Sequence, residues 1–492
     1  MACQEFRFGC KLAPTESAAV GLEQDRSLRV GDQQLLKAGK EWIGSEQFPL
    51  AGERFGWGQG YIGAVKPASA EPSQSTEILI LGGGPAGSAA ATILAQAGRP
   101  VQLLERERFP RFHIGESLLP HSRTLFRKLG FDPQVEAAGF TPKFGATFFS
   151  ACGQHVRRID FAHAEGLPCP EAFQVPRDRF DQLLLEHAEA KGARVFQGWR
   201  VLEIEFGREG VQVRAQGPGE ESRILRARFL IDASGRSGLV SRTLGLRKRD
   251  PKLQKVALFG HFRKVKSGWG EKPGDIRIVT RSDSGWLWFI PLPDDCTSVG
   301  LVIDRDRIPA GFPGQDEAAF RQWIGQSKIV AEMMASAERM TPLRVEADFS
   351  YRPERYAGER WLLAGDAGSF LDPVFSSGVH LALASGMDAA EVLLQHRGTG
   401  ALPRRALREF ERLQIQRYRL FRRFVLGFDR PEFRDLFFHQ PVPEGIYRAV
   451  VSILAGQDRP SPSLRWRLQL FFTLVALQRR FTLVPRLHHP AG

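Results

Sequence analysis

One stretch constrains this chain more than any other: Ile78 to Glu105, ILILGGGPAGSAAATILAQAGRPVQLLE, where a strand, a glycine turn, a helix and a second strand follow in succession. That is the pattern of a βαβ unit. Gly82, Gly84 and Gly87 hold the GxGxxG spacing. In it the first glycine makes the tight turn, the second lets backbone approach a pyrophosphate, and the third packs helix on strand. Pro85 stands in the first turn, where a helix tolerates it. Small residues from Ala86 to Ala91 keep the helix close to the sheet and leave its positive end facing a diphosphate. Glu105 ends the second strand about 20 residues past the glycines, where an acid that binds a ribose hydroxyl belongs. A chance glycine turn would not bring strand, helix and acid with it, so a dinucleotide is expected at Gly82, Gly84, Ala86, Gly87 and Glu105.

The remaining composition excludes more than it proposes. A chain of 492 residues, 42% hydrophobic, can fill two or three packed units. Its net charge of +13 is spread along the chain, which suits an acidic partner, an anionic substrate, or solubility alone. No nucleic-acid partner is expected. Cys3, Cys10, Cys152, Cys169 and Cys296 form neither a CxxC pair nor a zinc spacing, so no disulfide framework or structural metal is indicated, and a reduced cytoplasmic setting is expected. No signal peptide and no membrane-spanning run is visible, and membrane contact is not expected. HExxH, GxSxG and Walker signatures are absent. His113, His261 and His380 lack companions at ligand spacing and read as structural.

Residues 1–75 show no sustained period and are expected to be a disordered extension. Val201 to Val213 alternates like a hairpin, and ARFLIDASGRSG, Ala227 to Gly238, reads as a buried strand ending in Asp232 and a glycine turn. From about 250 to 345, runs such as GWLWFIPLP and TSVGLVID alternate as in an antiparallel sheet with one covered face. Residues 396–492 are basic and helical in pattern, a cap on the body or a basic face for an acidic carrier protein or a membrane surface. The expected fold is α/β: a Rossmann-like module over 76–395 containing the antiparallel sheet, then a helical C-terminal region.

Several motifs together resemble the flavin-dependent halogenases. Gly115, Glu116 and Ser117 in FPRFHIGESLLP look like their GES segment, which related flavoprotein reductases and hydroxylases share. QVPRDRFDQLLLEHA, led by Arg177, is similar to the helix of p-hydroxybenzoate-hydroxylase-like flavoproteins whose arginine faces the flavin. Ala227 to Gly238 resembles their second fingerprint. Gly365 and Asp366 resemble the third, in which the aspartate binds the ribityl chain. Trp286, Leu287, Trp288, Phe289, Ile290 and Pro291 match the WxWxIP motif of the halogenases. Tryptophans at i and i+2 share one side of a strand, where they wall the flavin from organic substrate or fill a core. Lys143, in GFTPKFGATFF, resembles the lysine that receives hypohalous acid. In FLDPVFSSG the amides of Ser377 and Gly378 resemble the halide site, with Val379 against the flavin. Phe375 stands where tryptophan halogenases carry a glutamate, a departure that points from indoles toward phenols or pyrroles.

The resemblance implies FAD, supplied as FADH2 by a separate flavin reductase, with O2 and chloride or bromide as co-substrates. It further implies a flavin C4a-hydroperoxide that oxidises halide, and hypohalous acid passing the Trp286, Trp288 and Pro291 tunnel to Lys143. The substrate would be an electron-rich aromatic small molecule, free or on an acyl or peptidyl carrier protein. Two other readings stay open: a flavoprotein monooxygenase or geranylgeranyl-reductase-like oxidoreductase, and a flavin-binding adaptor without halogenating turnover.

Overall fold

The computed structural model describes residues 74–487, apart from 282–284, 308–316, 397, 399 and 440–441. The extension expected before residue 76 lies outside the described residues except for Gln74 and Ser75, which already belong to the first strand. That strand, β1 (Gln74–Leu81), turns into α1 (Pro85–Gln96) and returns as β2 (Val101–Glu105). Four short strands follow: β3 (Thr141–Lys143), β4 (Gly145–Phe149), β5 (Val156–Asp160) and β6 (Ala172–Gln174). Next come α2 (Arg177–Ala190), β7 (Arg194–Gln197), the hairpin of β8 (Arg200–Phe206) and β9 (Val211–Gln216), and β10 (Ser222–Asp232). A long antiparallel run is made by β11 (Arg247–Arg263), β12 (Ile276–Thr280), β13 (Trp286–Pro291) and β14 (Thr297–Asp304), with β15 (Glu338–Arg339) and β16 (Arg344–Pro353) behind it. Then β17 (Ala357–Gly358) and β18 (Trp361–Leu363) lead to five helices: α3 (Gly378–Gln395), α4 (Arg404–Phe428), α5 (Pro431–His439), α6 (Glu444–Leu454) and α7 (Pro462–Phe481).

Two sheets divide the work. In the first, β1 lies between parallel neighbours β10 and β2 in the order β17-β18-β10-β1-β2-β7. Ile78, Leu79 and Ile80 are fully buried, which is why β1 reads as an unbroken apolar run. Gly82 turns the chain at φ +102°, and a Cβ on Gly87 would fall 1.9 Å from the Gly82 carbonyl oxygen, so α1 crosses this turn at backbone contact. Asp232, opposite Leu81 on β10, closes the sheet beside the turn by accepting the Ser234 and Val240 N–H groups.

The second sheet has the order β15-β11-β14-β13-β12-β4-β5, with β16 on β11. It draws β4 and β5 from residues 145–160, far from the alternating run in sequence. β4 joins by pairing parallel to β12, a partner that alternation cannot reveal. Alternation suggested one covered face, but β12, β13 and β14 are buried on both. Leu287 and Phe289 face a core with the helices Glu317–Ile324 and Lys328–Met334, while Trp286, Trp288 and Ile290 face one shared with α4 to α7. No described helix is long and apolar enough to cross a membrane.

Candidate active site

At the glycine turn, Glu105 is buried and its carboxylate accepts the Gly83 N–H at 2.7 Å and the Glu107 N–H at 2.9 Å. No side chain among the described residues caps α1, so its first-turn amides stay open to an anion. Arg111, which the sequence reading passed over inside FPRF, belongs here. Its guanidinium rests over the Phe109 ring, pairs with Asp181 at 3.3 Å, and comes within 3.4 Å of where a Cβ on Gly84 would sit. Its Nη1 is buried without a partner among the described residues. An uncapped helix end, a turn that only glycine fits and an orphaned guanidinium nitrogen suit a diphosphate.

Arg177 is buried and committed to protein acceptors. Nε and Nη2 each donate to the Asp181 carboxylate at 2.8 Å, and Nη1 donates to the Ile114 carbonyl at 2.8 Å. It thereby ties α2 to the turn that carries Gly115, Glu116 and Ser117, and its charge still reaches Asp366. After β18, Gly365 donates its N–H to Ser385 Oγ at 2.8 Å, and the Asp366 carbonyl accepts from the Tyr351 hydroxyl at 2.6 Å. Surrounding protein pushes the Asp366 carboxyl up to about 6, against the pull of Arg236, Arg177 and Arg247, although the residue keeps a half-buried surface. Gly365 and Asp366 line one pocket with Ser377, Gly378, Ala382 and Arg417.

Ser377 is the N-cap residue of α3 and no side chain caps that end either, which leaves the amides of Gly378 and Val379 at its positive pole. The chain reaches it through Pro373–Phe375, a 3₁₀ turn whose Val374 N–H donates to Asp372, and through Ser376 at φ +56°. Across this loop lies a second, smaller cavity, lined by Lys143, Phe148, Phe161, Phe375, Ser376 and aliphatic side chains. Val374, Phe375 and Ser376 line this cavity and Ser377 and Gly378 line the first, so one loop walls both.

Lys143 ends β3 with 1% of its surface exposed. Nζ donates to Ser117 Oγ at 2.8 Å and to the Leu118 carbonyl at 2.9 Å, and lies 5.3 Å from the centre of the Phe161 ring. Burial brings the amine down to about 7, with Asp275 holding it up in part. Trp286 and Trp288 pack with ring centres 5.7 Å apart and line neither cavity directly. The Trp288 indole N–H donates to Ser298 Oγ at 3.1 Å, while Pro291 ends the strand half-buried. Glu116, next to Ser117 in the chain, bonds His261 at 2.7 Å.

The FAD binding domain family matches residues 75–408. The 1H-pyrrole-2-carbonyl-[peptidyl-carrier protein] chlorinase of Pseudomonas fluorescens is 34% identical over 65% of this chain and 76% of its own length. The chain belongs to the flavin-dependent halogenase family. A flavin-dependent halogenase of Armillaria mellea, armH4, is 37% identical over 64% of each chain, so this halogenase-family chain spans about two thirds of that relative. Among solved structures, the flavin-dependent brominase Bmp2 superposes with a TM-score of 0.74 at 26% identity, covering 83% of this chain and all of its own (100%). A flavoprotein/dehydrogenase from Cytophaga hutchinsonii gives 0.75 at 30% identity, covering 82% of this chain and 99% of its own. FAD is the cofactor the family binds, and the residues at the glycine turn fit its diphosphate.

In this chain, Phe375 packs edge-on against Phe428 at 5.4 Å and tilts toward Phe148 at 6.4 Å. Among the described residues, no carboxylate lines the Lys143 cavity. Sequence reading missed Ser117 as a partner of Lys143. The GES triplet marks the turn, but only its pairing with β6, through Ser117 opposite Gln174 and the Leu118 N–H to the Phe173 carbonyl, sets it beside β3.

Proposed function

We propose that this chain is an FADH2-dependent halogenase that places chlorine or bromine on an electron-rich aromatic ring, of phenol or pyrrole type, with Lys143 presenting the electrophilic halogen. One observation carries the reading: the buried Lys143 amine faces an aromatic cavity, and a single loop separates that cavity from the uncapped N-terminal end of α3. Reduced FAD with O2 supplies the oxidising equivalent that turns halide into hypohalous acid. The remaining tasks fall to the chain. Gly82, Gly84, Ala86, Gly87, Glu105, Arg111, Gly365 and Asp366 hold the cofactor, with Arg177 bracing the turn beside it and Val379 packed at the base of α3. The backbone N–H groups of Ser377 and Gly378 donate to the halide. Trp286, Trp288 and Pro291 stiffen the strand behind the passage. Lys143 receives hypohalous acid and aims it at the ring, and the phenylalanine walls exclude water that would quench it.

A carboxylate-free cavity favours rings that are nucleophilic on their own account. The chlorinase relative acts on a carrier-bound pyrrole, which supports a tethered substrate here, delivered by an acyl or peptidyl carrier protein, with a separate flavin reductase as the source of FADH2. The likeness to a flavoprotein/dehydrogenase supports a second reading, an oxidoreductase with no halide requirement.

Incubation with FAD, a flavin reductase, NADH, O2, chloride or bromide, and a panel of phenols, pyrroles and indoles decides between them. Mass spectrometry is expected to show halide-dependent isotope doublets on a phenol or pyrrole, free or loaded on a carrier protein. Hydroxylated or reduced products indifferent to halide would sink the halogenase reading.

A further inference from the structure

Lys143 and Ser117 are far apart in sequence yet meet through one short strand. β6 pairs with β3 on one side, setting Ala172 opposite Lys143, and with the GES turn on the other, setting Gln174 opposite Ser117. The Val175 N–H to the Glu116 carbonyl at 2.7 Å and the Leu118 N–H to the Phe173 carbonyl at 3.0 Å sew that turn in place. The Ser117 side chain therefore approaches Nζ from a backbone with little freedom.

We propose that Ser117 is a positioning residue for halogen transfer: its hydroxyl oxygen and the Leu118 carbonyl each take a hydrogen of Lys143 Nζ, and so turn the remaining valence of that nitrogen into the aromatic cavity. This rests on Lys143 being the halogen-presenting amine. A neutral amine has two N–H bonds, and the two acceptors at 2.8 and 2.9 Å use both, which leaves its lone pair as the free valence of a nitrogen that lies 5.3 Å from the Phe161 ring centre. When the nitrogen is protonated, the third hydrogen takes that valence and can donate to the oxygen of hypohalous acid. Either way Ser117 fixes the direction, and Lys143, on a long stem with three rotatable donors, would otherwise wander.

Charged neighbours do not replace this control. Asp275 is the ion that bears on Lys143, and it is itself paired with Arg158 at 2.7 Å. Glu116, next in the chain, is occupied by His261. The Asp372 carboxyl in the 372–378 loop answers to Lys255.

Removing the hydroxyl takes an acceptor from the ammonium form, where the bond is charge-assisted, more than from the amine. Ser117→Ala should therefore move the Lys143 midpoint to lower pH, and Ser117→Thr should restore it. The FAD-loaded protein, labelled with lysine enriched in 13C at Cε, reports this by NMR, with the Lys143 signal assigned by its loss in Lys143→Met. In parallel, halogenated product per NADH oxidised is expected to fall roughly tenfold or more in Ser117→Ala, with flavin turnover kept, and to recover in Ser117→Thr. The proposal is overturned if Ser117→Ala titrates and couples like the parent, or if the alanine and threonine variants are altered alike, since a packing role would not separate them. Should the parent halogenate nothing, the functional reading fails, and the titration still decides whether Ser117 governs Lys143.

Discussion

A lysine nitrogen enclosed by phenylalanines burdens the fold, and at Lys143 the burden has a definite pH dependence. Its folded-state midpoint is brought from 10.5 down to about 7. Below pH 7 both folded and unfolded chains carry the proton and the burial penalty is present in full. Between 7 and 10.5 only the unfolded chain holds it, so this group's penalty is relieved as pH rises through that window. Lys143→Met, similar in shape and without charge, should stabilise the protein at pH 7 by on the order of 1–4 kcal/mol, with the gain shrinking toward pH 10. Urea unfolding of parent and variant across that range measures it, and a constant difference would contradict it. The same variant should consume reduced flavin and release no halogenated product. Lys143 stood out in the sequence only because its surroundings resembled a known family; the pattern of the stretch alone makes such a lysine a snorkelling surface residue. Arg111 and Ser117 were not legible, since what defines them is an orphaned nitrogen and an accepted hydrogen, which appear only when strands are paired.

Among the elements, β13 and β14 show how a motif becomes geometry. Trp288 stands opposite Gly300 on β14. A Cβ there would fall 2.1 Å from the Trp288 ring, so the absence of a side chain at 300 is what lets the indole lie flat on the neighbouring strand and keep its bond to Ser298. The sequence showed WxWxIP and TSVGLVID as separate runs; nothing in either said that the glycine of one seats the tryptophan of the other. The βαβ unit was readable because all its partners lie within one short stretch, whereas β4 and β5 reach their sheet from residues 145–160, beyond the range of any local pattern. Gly300→Ala should expel or tilt Trp288 and cost about 1–3 kcal/mol by overpacking. Tryptophan fluorescence and thermal unfolding would register the change, and an unshifted melting temperature would show that the strands can part without loss.

For the molecule as a whole, the question is whether the helical C-terminal region is an attachment or part of the body. A division near residue 396 follows a change of sequence style, from mixed elements to arginine-rich helices. The core ignores it: Trp286, Trp288 and Phe148 of the second sheet lie in one cluster with Phe421, Phe424, Phe428, Phe433, Phe437 and Phe471 of the helices. Phe148 and Phe437 meet edge to face at 4.8 Å, and Phe375, on the loop between the two cavities, rests on Phe428. The basic face of the helices dominates their sequence, while the phenylalanines that decide their placement are spaced at intervals a surface helix would also show. If the helices wall the Lys143 cavity as this packing indicates, Phe437→Ala should cost about 3–5 kcal/mol in the fold. It should also loosen the cavity, so that flavin is consumed with less halogenated product formed. Helix content followed by circular dichroism and sheet packing followed by tryptophan fluorescence should then melt together, in the variant as in the parent, both at a lower temperature for the variant. Helices that melt early while the tryptophan signal stays put would make the region an independent cap, and the cavity's far wall would have to be sought elsewhere.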